Sequence, residues 1–151
     1  MKNKHILRRI VFIASSIVLG FLTAGIICSL MQSKQYQIDS QNMQNVIEVM
    51  IGVWGTLLGF LITAESILVT FSGGSITNEF KQTGHYMTVI YQYTQTSIKL
   101  LLYILIFIGI MIVDSFAMVE MFLFIAFVIM TVIDTLFCFA ILILMLKMTT
   151  K

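Results

Sequence analysis

An almost unbroken apolar run in the second half of the chain most constrains what it can fold into. From Leu100 to Leu146 the chain holds 47 residues with only a few polar groups among them. As one helix, at about 1.5 Å per residue, this run would be about 70 Å long, whereas the hydrocarbon core of a bilayer is about 30 Å thick. The run therefore predicts two membrane spans joined by a tight turn near Asp114-Ser115 or Glu120.

The composition of the whole chain also indicates a membrane environment. Of the 151 residues, 59% are hydrophobic and 11% are charged, and none is proline. So little polar surface cannot cover a soluble globule of this size, which indicates lipid as the solvent. We predict an all-α polytopic membrane protein, a single membrane domain over 1–151 with four transmembrane helices. The predicted spans are about 10–31, 46–71, 98–118 and 121–146.

A more polar segment, 72–97, separates the second and third predicted spans. We expect it to form a short interfacial elbow on the cytoplasmic side, from which a helix beginning at His85 can run on into the third span. Its tyrosines are suited to the boundary between membrane and water. The elbow is either an ordinary helical turn or a docking site for a cytosolic protein. The candidate docking residues are Lys81, His85, Tyr86, Tyr91 and Tyr93.

The basic residues predict the orientation of the spans. With an inner N-terminus, only Lys34 of the nine lysines and arginines lies outside, and Lys99 is counted with the inner ones. Such an excess on one side matches the positive-inside rule. We therefore expect both termini to be cytoplasmic.

Small residues form two rows at helical spacing, which would let a neighbouring backbone approach closely. One row belongs to the second span, on the side of the helical wheel away from Trp54 and Glu65. We expect this row to set close helix contact within the subunit or between subunits. The other row belongs to the first span. The two rows are Gly52, Gly55, Gly59 and Thr63, and Ser16, Gly20 and Ala24.

Two acidic residues, Glu65 and Asp134, fall inside predicted spans. An aspartate at the centre of a membrane helix costs about 2.5–3.5 kcal/mol on insertion scales, and the sequence offers no lysine or arginine that we place at matching depth. Three interpretations stay open: protonated acids hydrogen-bonded to neighbours, a cation-attracting pore or water path, or a proton relay. Because four helices leave no room for a channel, a pore would require an oligomeric ring.

Catalysis is disfavoured because the chain has no hydrolase triad, metal-ligand cluster or phosphate-binding loop. We therefore expect no enzyme activity and no cofactor or metal. No basic patch interleaved with aromatic residues occurs outside the apolar segments, so direct binding of nucleic acid is not expected. The expected partners are membrane lipid, further copies of the chain and a cytosolic protein.

The segment GTLLGFLITAESIL (55–68), with Gly84-His85-Tyr86 in the elbow, resembles small four-span membrane proteins of bacterial antiphage defence operons, including the membrane subunit of the Kiwa system. The resemblance implies an inner-membrane homo-oligomer that works with a cytosolic protein and senses or causes membrane disturbance during infection. It implies no catalytic residue. The expected function is thus an effector or sensor in antiphage defence. A passive anchor for a cytosolic protein and a holin-like pore former are the alternatives.

Overall fold

Four long helices make up the part of the chain described by the structure, a computed structural model that covers residues 2–34, 40–70, 85–113 and 118–149. No strand occurs within these ranges. The predicted all-α class with four apolar helices is therefore confirmed. The helices are α1 (Lys2–Ser33), α2 (Ser40–Thr70), α3 (His85–Val113) and α4 (Met118–Thr149). Their segments long and apolar enough to cross a membrane are Ile13–Ser33, Gln41–Thr70, Tyr86–Ile112 and Met118–Ile143.

Helices are the expected elements here because a backbone in hydrocarbon must satisfy its own hydrogen bonds. Many hydroxyl side chains follow the same rule and donate to a carbonyl of the preceding turn. Thr23 Oγ1 donates to the Leu19 carbonyl at 2.7 Å, and Ser66 Oγ donates to the Ile62 carbonyl at 2.8 Å. These polar residues therefore add no unsatisfied group to the helices.

The helix ends differ from the predicted spans mainly at α3. This helix begins at His85, where we expect a helix to begin and run on into the third span, and its segment long and apolar enough to cross a membrane begins at Tyr86. The remainder of the predicted elbow, 72–84, lies outside the described residues. α3 ends at Val113 and α4 begins at Met118, which brackets the expected turn at Asp114-Ser115. The alternative turn at Glu120 is wrong, because Glu120 lies in the first turn of α4, where a negative charge suits the helix dipole.

The helices pack in an order that differs from their order in the chain. α2 packs mainly on α3, and α1 packs mainly on α4, while α3 and α4 pack on each other. Thus α1 and α2, although consecutive, have different main partners. α1 meets α3 over a short length only, and this junction contains the candidate site.

An aromatic cluster of five rings joins α2, α3 and α4. The indole of Trp54 lies with its ring centroid 5.9 Å from Tyr103 and 5.6 Å from Phe107. Phe124 and Phe127 of α4 complete the cluster, the latter stacked on Tyr103 at 4.2 Å. All five side chains are buried. Because such rings carry large apolar areas and pack with specific geometry, this cluster fixes α2 against the α3–α4 pair.

Candidate functional site

A buried ion pair joins α3 and α4. Lys99 Nζ lies 2.7 Å from Asp134 Oδ2, and the two side chains are 14% and 4% exposed. The same Nζ donates a hydrogen bond to Ser16 Oγ of α1 at 3.0 Å. Three helices therefore meet at one ammonium group, at the junction of α1 with α3.

The pair lies deep in the membrane-spanning part of the bundle. Lys99 is midway between Tyr86 and Ile112, the ends of the apolar segment of α3, and α4 continues as an apolar helix on both sides of Asp134. Isolated charges at such a position are costly. Pairing within hydrogen-bond distance reduces that cost, because each charge replaces part of the water that the other has lost.

The neutral polar groups around the pair have partners of their own. Thr131 Oγ1 donates to the Phe127 carbonyl at 2.8 Å, and Thr96 Oγ1 donates to the Gln92 carbonyl at 2.9 Å. The Cys138 thiol donates weakly to Thr96 Oγ1 at 3.7 Å. These groups pack beside the charges without competing strongly for them.

Lys99 corrects the expectation that no basic residue lies at the depth of the buried acids. The charge count places this lysine on the cytoplasmic side, next to the predicted elbow. Residues 85–97 of that elbow are part of α3, so Lys99 is in the middle of a membrane span. A lone lysine flanked by apolar residues, matched by a lone aspartate in another span, is the sequence signal that could have identified the pair.

Glu65 of α2 lies apart from this pair and has a neutral partner. Thr94 Oγ1 of α3 lies 2.5 Å from Glu65 Oε1 and 3.0 Å from the Ile90 carbonyl. The Thr94 hydroxyl is the donor in both contacts and shares its one hydrogen between the Glu65 carboxyl and the Ile90 carbonyl. The site thus provides a hydrogen-bonded neighbour, as in the first interpretation of this acid, although the partner is Thr94.

The small-residue row of α1 lies against α4. Ser16, Gly20 and Ala24 are all buried. A Cβ added at Gly20 would lie 2.5 Å from Met130 Cγ and 3.1 Å from the Ala126 carbonyl oxygen. Glycine is needed here because the backbones of α1 and α4 approach closely.

The small-residue row of α2 lies on the outside of the bundle, so close contact within the subunit, one of the two expected alternatives, does not occur among the described residues. Gly52, Gly55, Gly59 and Thr63 are exposed, and a Cβ added at any of the three glycines meets nothing within 4 Å. The opposite side of α2 is buried instead, because Trp54 fills the aromatic cluster. Contact of this row between subunits stays a prediction.

The predicted docking residues do not form one surface. Tyr86 and Tyr93 are buried, and their hydroxyls donate to the carbonyls of Leu68 at 2.9 Å and Cys138 at 3.1 Å. These two tyrosines bind the helices together and do not offer their rings to a partner. Tyr91 is exposed. His85 is the first residue of α3, and Lys81 lies outside the described residues.

Comparison of the chain with protein-family models, with curated proteins and with solved structures finds no match. The function is therefore inferred from the chain's own residues.

Proposed function

We propose that this protein is a membrane-embedded effector or sensor of membrane integrity in bacterial antiphage defence. In this proposal it works in the inner membrane as a homo-oligomer and acts together with a cytosolic protein. The observation that carries the proposal is the buried ion pair between Lys99 and Asp134, with Ser16 as the third member. The defence setting comes from the resemblance of residues 55–68.

The ion pair favours an active role over passive anchoring. An anchor needs only apolar helices, and apolar side chains of similar volume generally replace a buried ion pair without loss of stability. A lysine and an aspartate inside membrane helices are by default a functional site. We therefore infer that the pair has a task that leucine and methionine cannot perform.

The position of the pair suggests how it would act. While Lys99 contacts both Asp134 and Ser16, it holds α1 on the α3–α4 pair. Separation of the charges would release α1 at this level and draw water towards two unpaired ions. Such an element has two discrete arrangements, and a disturbance of the bilayer can bias the equilibrium between them.

The exposed row on α2 supports assembly. Gly52, Gly55 and Gly59 leave a shallow, open surface, and the Thr63 hydroxyl donates back to the Gly59 carbonyl at 2.8 Å. Such a smooth surface lets a helix of another copy approach closely. In this arrangement the ion pair stays within each subunit, so any water path along it would run through a subunit and not between subunits.

The test is expression with the neighbouring genes, followed by phage infection and measurement of membrane potential and phage yield. The double variant Lys99→Met with Asp134→Leu removes both charges, and Ile98→Met on the exposed side of α3 serves as control. We expect the control to behave as wild type. The double variant should insert and accumulate normally, but should change neither potential nor phage yield.

Two outcomes would contradict the proposal. Unchanged potential together with unchanged phage yield in cells with the wild-type protein would remove the defence role. Full protection by the charge-free double variant would mean that the pair is not the working element, and would favour the anchor.

A further inference from the structure

A polar stripe runs along α3 from its first turns to the ion pair. It consists of Thr88, Gln92, Gln95 and Lys99, spaced by four, three and four residues, and so lies on one side of the helix. All four are half-buried. From Thr88 to Lys99 the stripe spans about 16 Å along the helix axis. It therefore connects one end of the membrane span with the buried charges.

Two groups of the stripe have unused hydrogen-bonding capacity. The Gln95 Oε1 atom is buried and has no hydrogen-bond partner among the residues that the structure describes. The Lys99 ammonium has three N–H donors, and among the described residues it donates to Asp134 Oδ2 and Ser16 Oγ. An unsatisfied amide oxygen costs several kcal/mol in hydrocarbon, whereas buried water can bond two to four polar groups.

The stripe lies on the side of α3 that meets α1, because Lys99 contacts Ser16. α1 packs mainly on α4 and meets α3 over a short length, where Ser16 contacts Lys99. Because Lys99 belongs to the stripe, Thr88, Gln92 and Gln95, towards the start of α3, lie on the same side of α3 as this junction. In the opposite direction, Tyr103, Phe107 and Phe127 of the aromatic cluster fill the interior.

We propose that water enters the bundle along this polar stripe and reaches the Lys99–Asp134 pair from one side of the membrane only. The entry is the end at which α1 and α3 begin, which the basic residues assign to the cytoplasm. The aromatic cluster closes the other end, so the path is a hydrated half-channel that delivers water and protons to the pair. This inference goes beyond the proposed function and holds whether or not the pair serves in defence.

Cysteine labelling tests the path in full-length protein in oriented inner-membrane vesicles, on a Cys28→Ser, Cys138→Ala background. The probe is a small membrane-impermeant methanethiosulfonate applied to one face at a time. Gln92→Cys and Gln95→Cys report on the stripe. Their controls are Tyr91→Cys and Ile98→Cys, which lie at similar depth on the exposed side of α3.

Only a hydrated thiol ionises to the reactive thiolate. We therefore expect the stripe cysteines to react at least about tenfold faster than their controls, and only from the cytoplasmic face. Thr88→Cys at the mouth gives an independent reading if Gln95→Cys fails to insert. Equal rates for stripe and control cysteines, or labelling from both faces, would overturn the half-channel. The labelling rate needs no infection, so its outcome is separate from that of the defence experiment.

Discussion

At the scale of single residues, removal of one charge of the ion pair should destabilise the protein more than removal of both charges. Lys99→Met leaves the Asp134 carboxylate buried without its cation, and we expect it to lower the free energy of unfolding by about 3–5 kcal/mol. Lys99→Met combined with Asp134→Leu should recover most of that loss, because no uncompensated charge remains. Thermal unfolding of the purified proteins in one detergent, followed by fluorescence-detected size exclusion, compares wild type, Lys99→Met, Asp134→Leu and the double variant side by side.

The double-mutant cycle identifies the interaction. A coupling free energy near zero, in which the effects of the two single substitutions simply add, would mean that the 2.7 Å contact has no energetic importance. The exchanged variant, Lys99→Asp with Asp134→Lys, separates charge from position. If the hydrogen bond to Ser16 contributes to stability, the exchanged variant should be less stable than wild type. Its lysine extends from α4 and not from α3, so its ammonium group no longer has the position from which Lys99 reaches Ser16.

A second prediction at this scale concerns the close contact between Gly20 and α4. Gly20→Ala would place its Cβ 2.5 Å from Met130 Cγ, so the Met130 side chain must shift or α1 must move away from α4, and we expect a loss of about 1–3 kcal/mol in stability. Gly25→Ala in the same helix is the matched control. Its Cβ would lie 4.0 Å from a Phe122 ring carbon, an ordinary contact, so its stability should stay within about 1 kcal/mol of wild type. Equal loss for both would contradict the close approach at Gly20.

At the scale of the helices, α2 illustrates what sequence patterns can and cannot predict. The wheel correctly separated the glycine row from the side that carries Trp54 and Leu61. It could not say which side is buried within the subunit, because in lipid small residues permit close packing but apolar exposure carries no penalty. Three rings on α3 and α4 surround Trp54 and so determine which side of α2 is buried. No pattern within α2 contains that information.

Helix boundaries also limited the prediction of the site. Asp134 was identified as a buried acid from α4 alone. Its partner was missed because Thr88, Gln92 and Gln95 make the first half of α3 look like an interfacial segment. Within a bundle these side chains can lie beside a neighbouring helix, so a polar stretch need not end a span. Pairing Lys99 with Asp134 required the relative placement of two helices, which spacing within either one does not provide.

The exposed row of α2 yields a prediction at the same scale. Gly59→Leu should leave the fold of the subunit intact, because the position is open, but should prevent close contact with another copy. Val53→Leu, on a different exposed part of α2, is the control and should assemble as wild type does. Mass measurement by light scattering in detergent, paired with the unfolding temperature, separates assembly from folding. A Gly59→Leu protein that retains the wild-type mass would exclude this row as the subunit contact.

At the scale of the whole molecule, the burial of Lys99 changes the basis of the predicted orientation. Lys99 does not contribute to the positive charge of a cytoplasmic loop, because it lies in the middle of α3 and is neutralised by Asp134. Seven basic residues then favour the cytoplasmic side, against Lys34 on the outer side. The bias is still strong, and four of the seven, including Arg8 and Arg9, precede the apolar segment of α1, where the positive-inside rule has most influence.

Fusion reporters test both this orientation and the inference that Lys99 does not help to set it. A fluorescent protein that folds only in the cytoplasm should be bright at the C-terminus, and alkaline phosphatase inserted after Lys34 should be active. Lys99→Leu should leave both signals unchanged, even though it damages stability. Replacement of Lys2, Lys4, Arg8 and Arg9 by glutamine should reduce both signals, because it removes the charges that retain the N-terminus. Inverted signals in the Lys99→Leu variant would mean that this lysine does act as a surface charge during insertion, and would move the ion pair towards the membrane boundary.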